Sequence, residues 1–183
     1  MDFKLVLEKL LTSFEDQNIR YALMGGFALG LWSDPRATVD IDFLVHKDDM
    51  KKVDTIMEEL GYECRFKTEN VTQYISPLEI FGEVDFIHAF RPPSLSMLKR
   101  VAEKKVFDET VTIKVLSVED LIGCKVQGMA NDESRKALDL SDIESLLISS
   151  AGDIDWSLIG EYFDLFGFNK LFNELKGKYG KDK

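Results

Sequence analysis

Two aspartates one residue apart interrupt an apolar segment of this chain. Asp40 and Asp42 stand in "TVDIDFLV", residues 38–45, whose other members are typical of a buried strand. Side chains two residues apart in a strand point to the same face, so the pattern predicts two adjacent carboxylates. Such carboxylates repel each other unless a cation lies between them, so the pair indicates a metal site. The alternative interpretation is that the two aspartates face solvent on an edge strand. Oxygen ligands without paired Cys or His favour Mg²⁺ or Mn²⁺ over zinc.

A third acidic residue has the same setting. Asp85 lies in "GEVDFIHA", residues 82–89, where its alternation with Val84 and Phe86 predicts a strand with Asp85 on the polar face. If this strand neighbours the first one, three carboxylates converge. Such a group holds two divalent cations about 4 Å apart, one activating an attacking hydroxyl and one neutralising charge on a leaving group.

A double glycine precedes the acidic pair. Gly25 and Gly26 follow the short apolar segment "RYALM" and predict a turn between a strand and a short helix. The backbone amides of such a turn are suited to bind phosphate. The chain contains its own comparison, because Asp153 and Asp155 repeat the acidic triplet without a glycine turn. We expect those two residues to cap a helix.

The surrounding pattern predicts an α/β (α+β) fold that positions these residues. Apolar residues recur at helical spacing over residues 2–17, and strand patterns dominate after residue 61, apart from a helix expected over residues 94–102. We predict a small mixed β-sheet with flanking helices in residues 1–117. A helical cap is expected in residues 118–183, either as a second domain or as part of one globular unit.

Composition restricts the class of partner. The chain has 183 residues and a net charge of −10, which repels polyphosphate and disfavours nonspecific nucleic-acid binding. No segment has the apolar length of a membrane span, and the amphipathic start differs from a signal peptide. We therefore expect a cytoplasmic protein without a membrane partner. The two cysteines, Cys64 and Cys124, lack metal-type spacing and are expected to be free thiols.

These motifs resemble those of the nucleotidyltransferase superfamily related to DNA polymerase β. That superfamily has a glycine turn, a short helix, an acidic pair on a strand and a third carboxylate, which correspond here to Gly25, Gly26, Asp40, Asp42 and Asp85. The segment "RATVDID", residues 36–42, resembles more narrowly the branch of abortive-infection (AbiE-type) toxin nucleotidyltransferases. The resemblance extends over about residues 20 to 145.

The resemblance implies a role for each matching residue. Asp40, Asp42 and Asp85 are expected to be catalytic and to bind two Mg²⁺ or Mn²⁺ ions. Asp85 is also expected to accept the proton of the acceptor hydroxyl. The NTP is expected to contact Gly25, Gly26, Arg36, Thr38, Lys125 and Arg135. The late motif departs from the branch, because Leu138 precedes Asp139 where a lysine is common. The roles of Asp139 and Asp142 therefore stay open.

The implied reaction moves a nucleoside monophosphate from an NTP to an acceptor hydroxyl and releases pyrophosphate. A tRNA end, a protein hydroxyl and a small molecule stay open as acceptors, and the AbiE-type resemblance adds a cognate antitoxin or other partner protein. Two alternatives stay open: a nucleotide-binding or partner-binding domain of the same fold without turnover, and a sugar transferase that uses the acidic pair. Arg36 could instead pair with Asp34 or Asp40, and Lys125 could face solvent.

Overall fold

The structure is a computed structural model that describes residues 1–35, 37–150 and 154–180. The chain divides into two compact units. The first contains Met1–Ala28 and Arg36–Leu116, and the second contains Leu29–Pro35 and Ser117–Lys183.

A seven-stranded mixed sheet forms the centre of the first unit. Its strands are β1 (Tyr21–Met24), β2 (Asp40–His46), β3 (Glu63–Lys67), β4 (Val71–Ile75), β5 (Glu83–Ala89), β6 (Ala102–Val106) and β7 (Val111–Val115). Their spatial order is β3-β4-β5-β2-β1-β7-β6. The β2–β5 and β1–β7 pairs are parallel, and the other pairs are antiparallel. The predicted mixed α/β fold is therefore confirmed.

Helices accompany this sheet. They are α1 (Phe3–Asp16), α2 (Gly25–Gly30), which begins in the first unit, α3 (Met50–Glu59) and α4 (Pro92–Met97). The carboxylate of Asp2 caps α1 by accepting a hydrogen bond from the amide of Leu5 at 3.0 Å. The apolar side of α1 is buried, which matches the helical spacing of its leucines and of Phe14.

The core of the first unit depends on the alternation along β2 and β5. Ile41 and Phe43 in β2 and Phe86 in β5 are fully buried. The rings of Phe43 and Phe86 stack with their centroids 5.7 Å apart, and Phe14 of α1 meets Phe43 edge-on at 5.4 Å. Because one face of these two strands is occupied by the core, the intervening residues project from the opposite face.

The second unit is helical. It contains α5 (Val118–Asn131), α6 (Lys136–Ser149), α7 (Trp156–Leu165) and α8 (Asn169–Tyr179), with a 3₁₀ turn at Glu133–Arg135. Ser117 caps α5, and Asp155 caps α7 by accepting from the amides of Ser157 and Leu158. The capping role predicted for Asp155 is thus confirmed, whereas Asp153 lies outside the described residues.

One helix prediction was wrong at its carboxyl end. The helix expected over residues 94–102 begins at Pro92 and ends at Met97, and Ala102 is the first residue of β6. Ala102 pairs with Val115 of β7, so sheet pairing overrides the local helical pattern. In the part of the chain that the structure describes, no helix has the length and apolar character needed to cross a membrane.

A buried histidine of β5 makes hydrogen bonds through both of its ring nitrogens. His88 Nδ1 lies 2.8 Å from the carbonyl oxygen of Glu69, and Nε2 lies 3.0 Å from the hydroxyl of Thr72. A carbonyl only accepts, so Nδ1 carries the proton and the neutral ring is already satisfied. Burial, with the nearby charges of Lys47 and Lys67, lowers the pKa of His88.

We predict that the free energy of unfolding falls as the pH drops below about 6.5, the usual pKa of histidine. Below that pH the His88 side chain is protonated in the unfolded chain before it is protonated in the folded one. The free energy of unfolding then changes by up to about 1.4 kcal/mol per pH unit for this one proton, until the pH reaches the lowered pKa of His88 in the folded chain. Urea unfolding at several pH values on wild type and His88→Gln tests this. Parallel pH curves for the two proteins would contradict it.

Candidate active site

Parallel pairing of β2 with β5 places the acidic residues in register. Asp42 lies opposite Asp85, and Asp40 lies opposite Glu83. Directly paired residues share a face, and this is the face not occupied by the aromatic core. The structure therefore brings Asp40, Asp42 and Asp85 together on one polar surface of the first unit, as expected for neighbouring strands.

The first carboxylate of the pair is held by a local hydrogen bond. The hydroxyl of Thr38 donates to Asp40 Oδ1 at 2.7 Å. Thr38, which the resemblance assigns to the nucleotide, thus contacts a carboxylate in this structure. Arg36, assigned to phosphate, lies outside the described residues.

Asp85 has two unlike oxygens. Oδ2 accepts a hydrogen bond from the side-chain amide of Gln73 at 2.7 Å. Oδ1 is buried and has no hydrogen-bond partner among the residues described. Burial raises the pKa of Asp85, and the negative charges of Asp40 and Glu83 raise it further, while the Gln73 hydrogen bond opposes them.

Two residues near Asp85 were missed by the sequence analysis. One is Gln73, a polar residue between the buried Thr72 and Tyr74 of β4, and this alternation is the signal that could have identified it. The other is Arg65 of β3, whose Nη1 lies 3.1 Å from Glu83 Oε1 and whose charge lowers the pKa of Asp85. No feature of the sequence around Arg65 indicates this contact.

The glycine turn meets the acidic pair directly. Gly25 begins α2 with a φ of +70°, in the left-handed region that favours glycine. A Cβ atom at this position would overlap the carboxylate of Asp42. Gly25 is therefore required both by its backbone conformation and by the approach of Asp42.

The acidic surface fits a divalent cation in its chemistry. Its donors are carboxylate oxygens, and one of them, Asp85 Oδ1, is buried and has no partner in the described part of the chain. Burial and the charges of Asp40 and Glu83 raise the pKa of Asp85, and a bound cation would lower it. Within residues 1–35, 37–150 and 154–180, no three His, Cys, Asp or Glu side chains are grouped closely enough to form a metal site by themselves. The assignment of two ions therefore stays a prediction.

The second unit contains a buried ion cluster. Lys125 Nζ lies 3.1 Å from Asp139 Oδ1 and 2.7 Å from Asp142 Oδ2, and Arg135 Nε lies 3.2 Å from Asp139 Oδ2. The Lys125 side chain is only 9% exposed. The alternative that Lys125 faces solvent is therefore wrong. Asp139 and Asp142, whose roles the sequence left open, form ion pairs with Lys125 in this cluster.

The fold has solved counterparts. The antibiotic-resistance factor ANT(2'')-Ia is similar over 98% of this chain and 99% of its own, with 16% identity and a TM-score of 0.63. The lincosamide antibiotic adenylyltransferase LnuA is similar over 77% of this chain and 96% of its own, with 16% identity and a TM-score of 0.56. An antigenic nucleotidyltransferase-like protein from Paracoccidioides brasiliensis is similar over 95% of this chain and 91% of its own, with 18% identity and a TM-score of 0.57.

These similarities show that the chain shares the fold of these proteins. The chain belongs to the family described as uncharacterised nucleotidyltransferases, whose model matches residues 3–173. No curated protein matches the sequence.

The Gly25 turn can be tested against a glycine with the same backbone demand. Gly61 has a φ of +79°, and a Cβ there would meet no atom within 4 Å. We expect Gly61→Ala to lower the free energy of unfolding by about 1–2 kcal/mol through backbone strain. Gly25→Ala should cost at least about 1 kcal/mol more, because the methyl group displaces Asp42. Urea denaturation measures both values, and equal losses would refute the steric argument.

The Lys125 cluster yields a second stability prediction. Lys125→Met removes the cation from between two buried carboxylates and should lower the free energy of unfolding by about 3–5 kcal/mol. Lys170→Met is the matched control, since Lys170 is 93% exposed and lies 4.0 Å from Glu174. That exchange should cost about 0.5 kcal/mol or less. Similar losses in the two variants, measured by chemical denaturation, would contradict a structural role for Lys125.

Proposed function

We propose that this protein is a metal-dependent nucleotidyltransferase that moves a nucleoside monophosphate from an NTP to an acceptor hydroxyl. The observation that carries the proposal is the shared polar face of β2 and β5, where Asp40 and Asp42 lie beside Asp85. The Oδ1 atom of Asp85 has no hydrogen-bond partner among the residues that the structure describes. Membership of a nucleotidyltransferase family supports the reaction class. It also leaves the sugar transferase alternative without support.

In the proposed reaction the acceptor oxygen forms a bond to the α-phosphorus of the NTP. The bond from that phosphorus to the oxygen bridging to the β-phosphorus breaks, and pyrophosphate leaves with the electron pair. Asp85 Oδ1 takes the proton of the acceptor hydroxyl, since Oδ1 accepts no hydrogen bond from the described residues.

Asp40, Asp42 and Asp85 would hold Mg²⁺ or Mn²⁺, proposed as two ions. When bound, such ions neutralise phosphate charge and promote ionisation of the attacking hydroxyl. Thr38 would serve by orienting Asp40, which it already contacts at 2.7 Å. Gly25 and Gly26 are proposed to receive the triphosphate, and Arg36 to balance its charge.

The Lys125 cluster has a different role in this proposal from the one that the resemblance implied. Lys125 is buried and paired with both Asp139 and Asp142, so we assign it to the stability of the second unit. Arg135 is about half exposed while it pairs with Asp139, and its contact with phosphate stays a prediction.

For the acceptor we favour a small cationic alcohol. The net charge of −10 attracts cations and repels RNA, and this argument disfavours a tRNA end. Two structurally similar proteins carry names that refer to antibiotics, which are small molecules. A protein hydroxyl, and a cognate antitoxin or other partner, stay predictions from the AbiE-type resemblance.

Binding of each of the four NTPs, with and without Mg²⁺, tests the proposal by thermal shift. We expect one or more NTPs to raise the melting temperature by about 5–10 °C at a hundredfold excess over the Kd, and only with metal. Asp42→Asn should remove both this shift and the release of pyrophosphate. Asp155→Asn is the matched control, because Asn also caps helices and α7 should be preserved.

The outcomes separate the alternatives. Metal-dependent NTP binding without pyrophosphate release, over a panel of amino alcohols, tRNA and proteins, would favour a nucleotide-binding domain without turnover. A full shift and full turnover in Asp42→Asn would overturn the assignment of the acidic pair.

A further inference from the structure

A row of polar side chains crosses three neighbouring strands of the sheet. Gln73 of β4 lies opposite Asp85 of β5, which lies opposite Asp42 of β2. Gln73 therefore stands beside Asp85 on the side away from Asp42. Its neighbours along β4, Thr72 and Tyr74, are buried on the other face.

The contact between Gln73 and Asp85 has a defined direction. An ionised carboxylate only accepts hydrogen bonds, so the amide nitrogen of Gln73 must point to it, and Nε2 donates to Oδ2 at 2.7 Å. This hydrogen bond makes the two oxygens of Asp85 unequal. Oδ2 is occupied, while Oδ1 is buried and, in the described part of the chain, has no donor.

The hydrogen-bond donor to Asp85 is uncharged, which suits a site for a divalent cation. A lysine or arginine in this place would form an ion pair with Asp85 and compete with a divalent cation for it. An acidic residue would add to the repulsion that already raises the pKa of Asp85. A glutamine orients the carboxylate without changing the charge of the surface.

We propose that Gln73 is a positioning residue that fixes the Asp85 carboxylate, so that Oδ1 is the oxygen offered to the reaction. The proposal rests on the nucleotidyl transfer proposed above and adds a residue that neither the motif nor the family match assigns. Strand pairing alone does not require it, because the β4–β5 ladder uses backbone atoms. The side chain of Gln73 should therefore matter for metal binding and rate more than for folding.

The experiment compares wild type with Gln73→Leu, which keeps most of the side-chain volume and removes the donor. Gln127→Leu, at an exposed position of α5, is the matched control. Electron paramagnetic resonance measures Mn²⁺ binding in the presence of a non-hydrolysable NTP analogue. Loss of a partner that orients a metal-binding side chain typically weakens metal affinity or activity 10- to 100-fold, and we expect this loss for one Mn²⁺ ion in Gln73→Leu only.

Kinetics supply a second readout. The Mn²⁺ concentration for half-maximal pyrophosphate release should rise at least about tenfold in Gln73→Leu. The KM for the NTP should stay the same, because Asp40 and Asp42 are unchanged, and high Mn²⁺ should restore kcat. A purely structural role for Gln73 would not produce this separation. If Gln73→Leu fails to fold, Gln73→Asn replaces it, since its amide is one methylene too short for the 2.7 Å contact, and the same values are expected.

Mn²⁺ binding distinguishes a wrong role for Gln73 from a wrong proposed function. If Asp42→Asn abolishes binding of Mn²⁺ with the NTP analogue while Gln73→Leu equals wild type in Mn²⁺ affinity and turnover, Gln73 has no positioning role. If wild type itself binds no Mn²⁺ with any analogue, the proposed function and the role of Gln73 are both overturned.

Discussion

The parallel register of β2 and β5 is the constraint on which the candidate site depends. It aligns the aromatic residues of two strands into one core and, by the same alternation, aligns Asp42 with Asp85 on the opposite face. A shift of β2 by one residue would bury Asp40 and Asp42 and expose Phe43. The energy of the core therefore maintains an arrangement of like charges that is unfavourable by itself.

The two units handle adjacent acidic residues in different ways. In the second unit Asp139 and Asp142 are buried with Lys125 between them, and the cation comes from the chain itself. In the first unit burial and the charges of Asp40 and Glu83 raise the pKa of Asp85, whose Oδ1 has no donor among the described residues. Because of this difference we assign a structural role to Asp139 and Asp142 and a catalytic role to the acidic residues of β2 and β5.

Residues whose role depends on local periodicity could be predicted from the sequence. Alternation identified the strands of Asp40, Asp42 and Asp85, and the glycine turn before them was evident from its composition. The partners of these residues could not be predicted, because they depend on strand order and helix packing. Gln73 becomes a neighbour of Asp85 only when β4 pairs with β5, and Asp142 reaches Lys125 only when α6 packs on α5.

The most direct test of the central claim is anomalous X-ray diffraction from crystals containing Mn²⁺ and a non-hydrolysable NTP analogue. The account predicts anomalous peaks within coordination distance of the Asp40 and Asp42 carboxylates and of Asp85 Oδ1, with the triphosphate of the analogue beside them. Mn²⁺ or nucleotide bound elsewhere on the protein, with these three carboxylates uncoordinated, would contradict it.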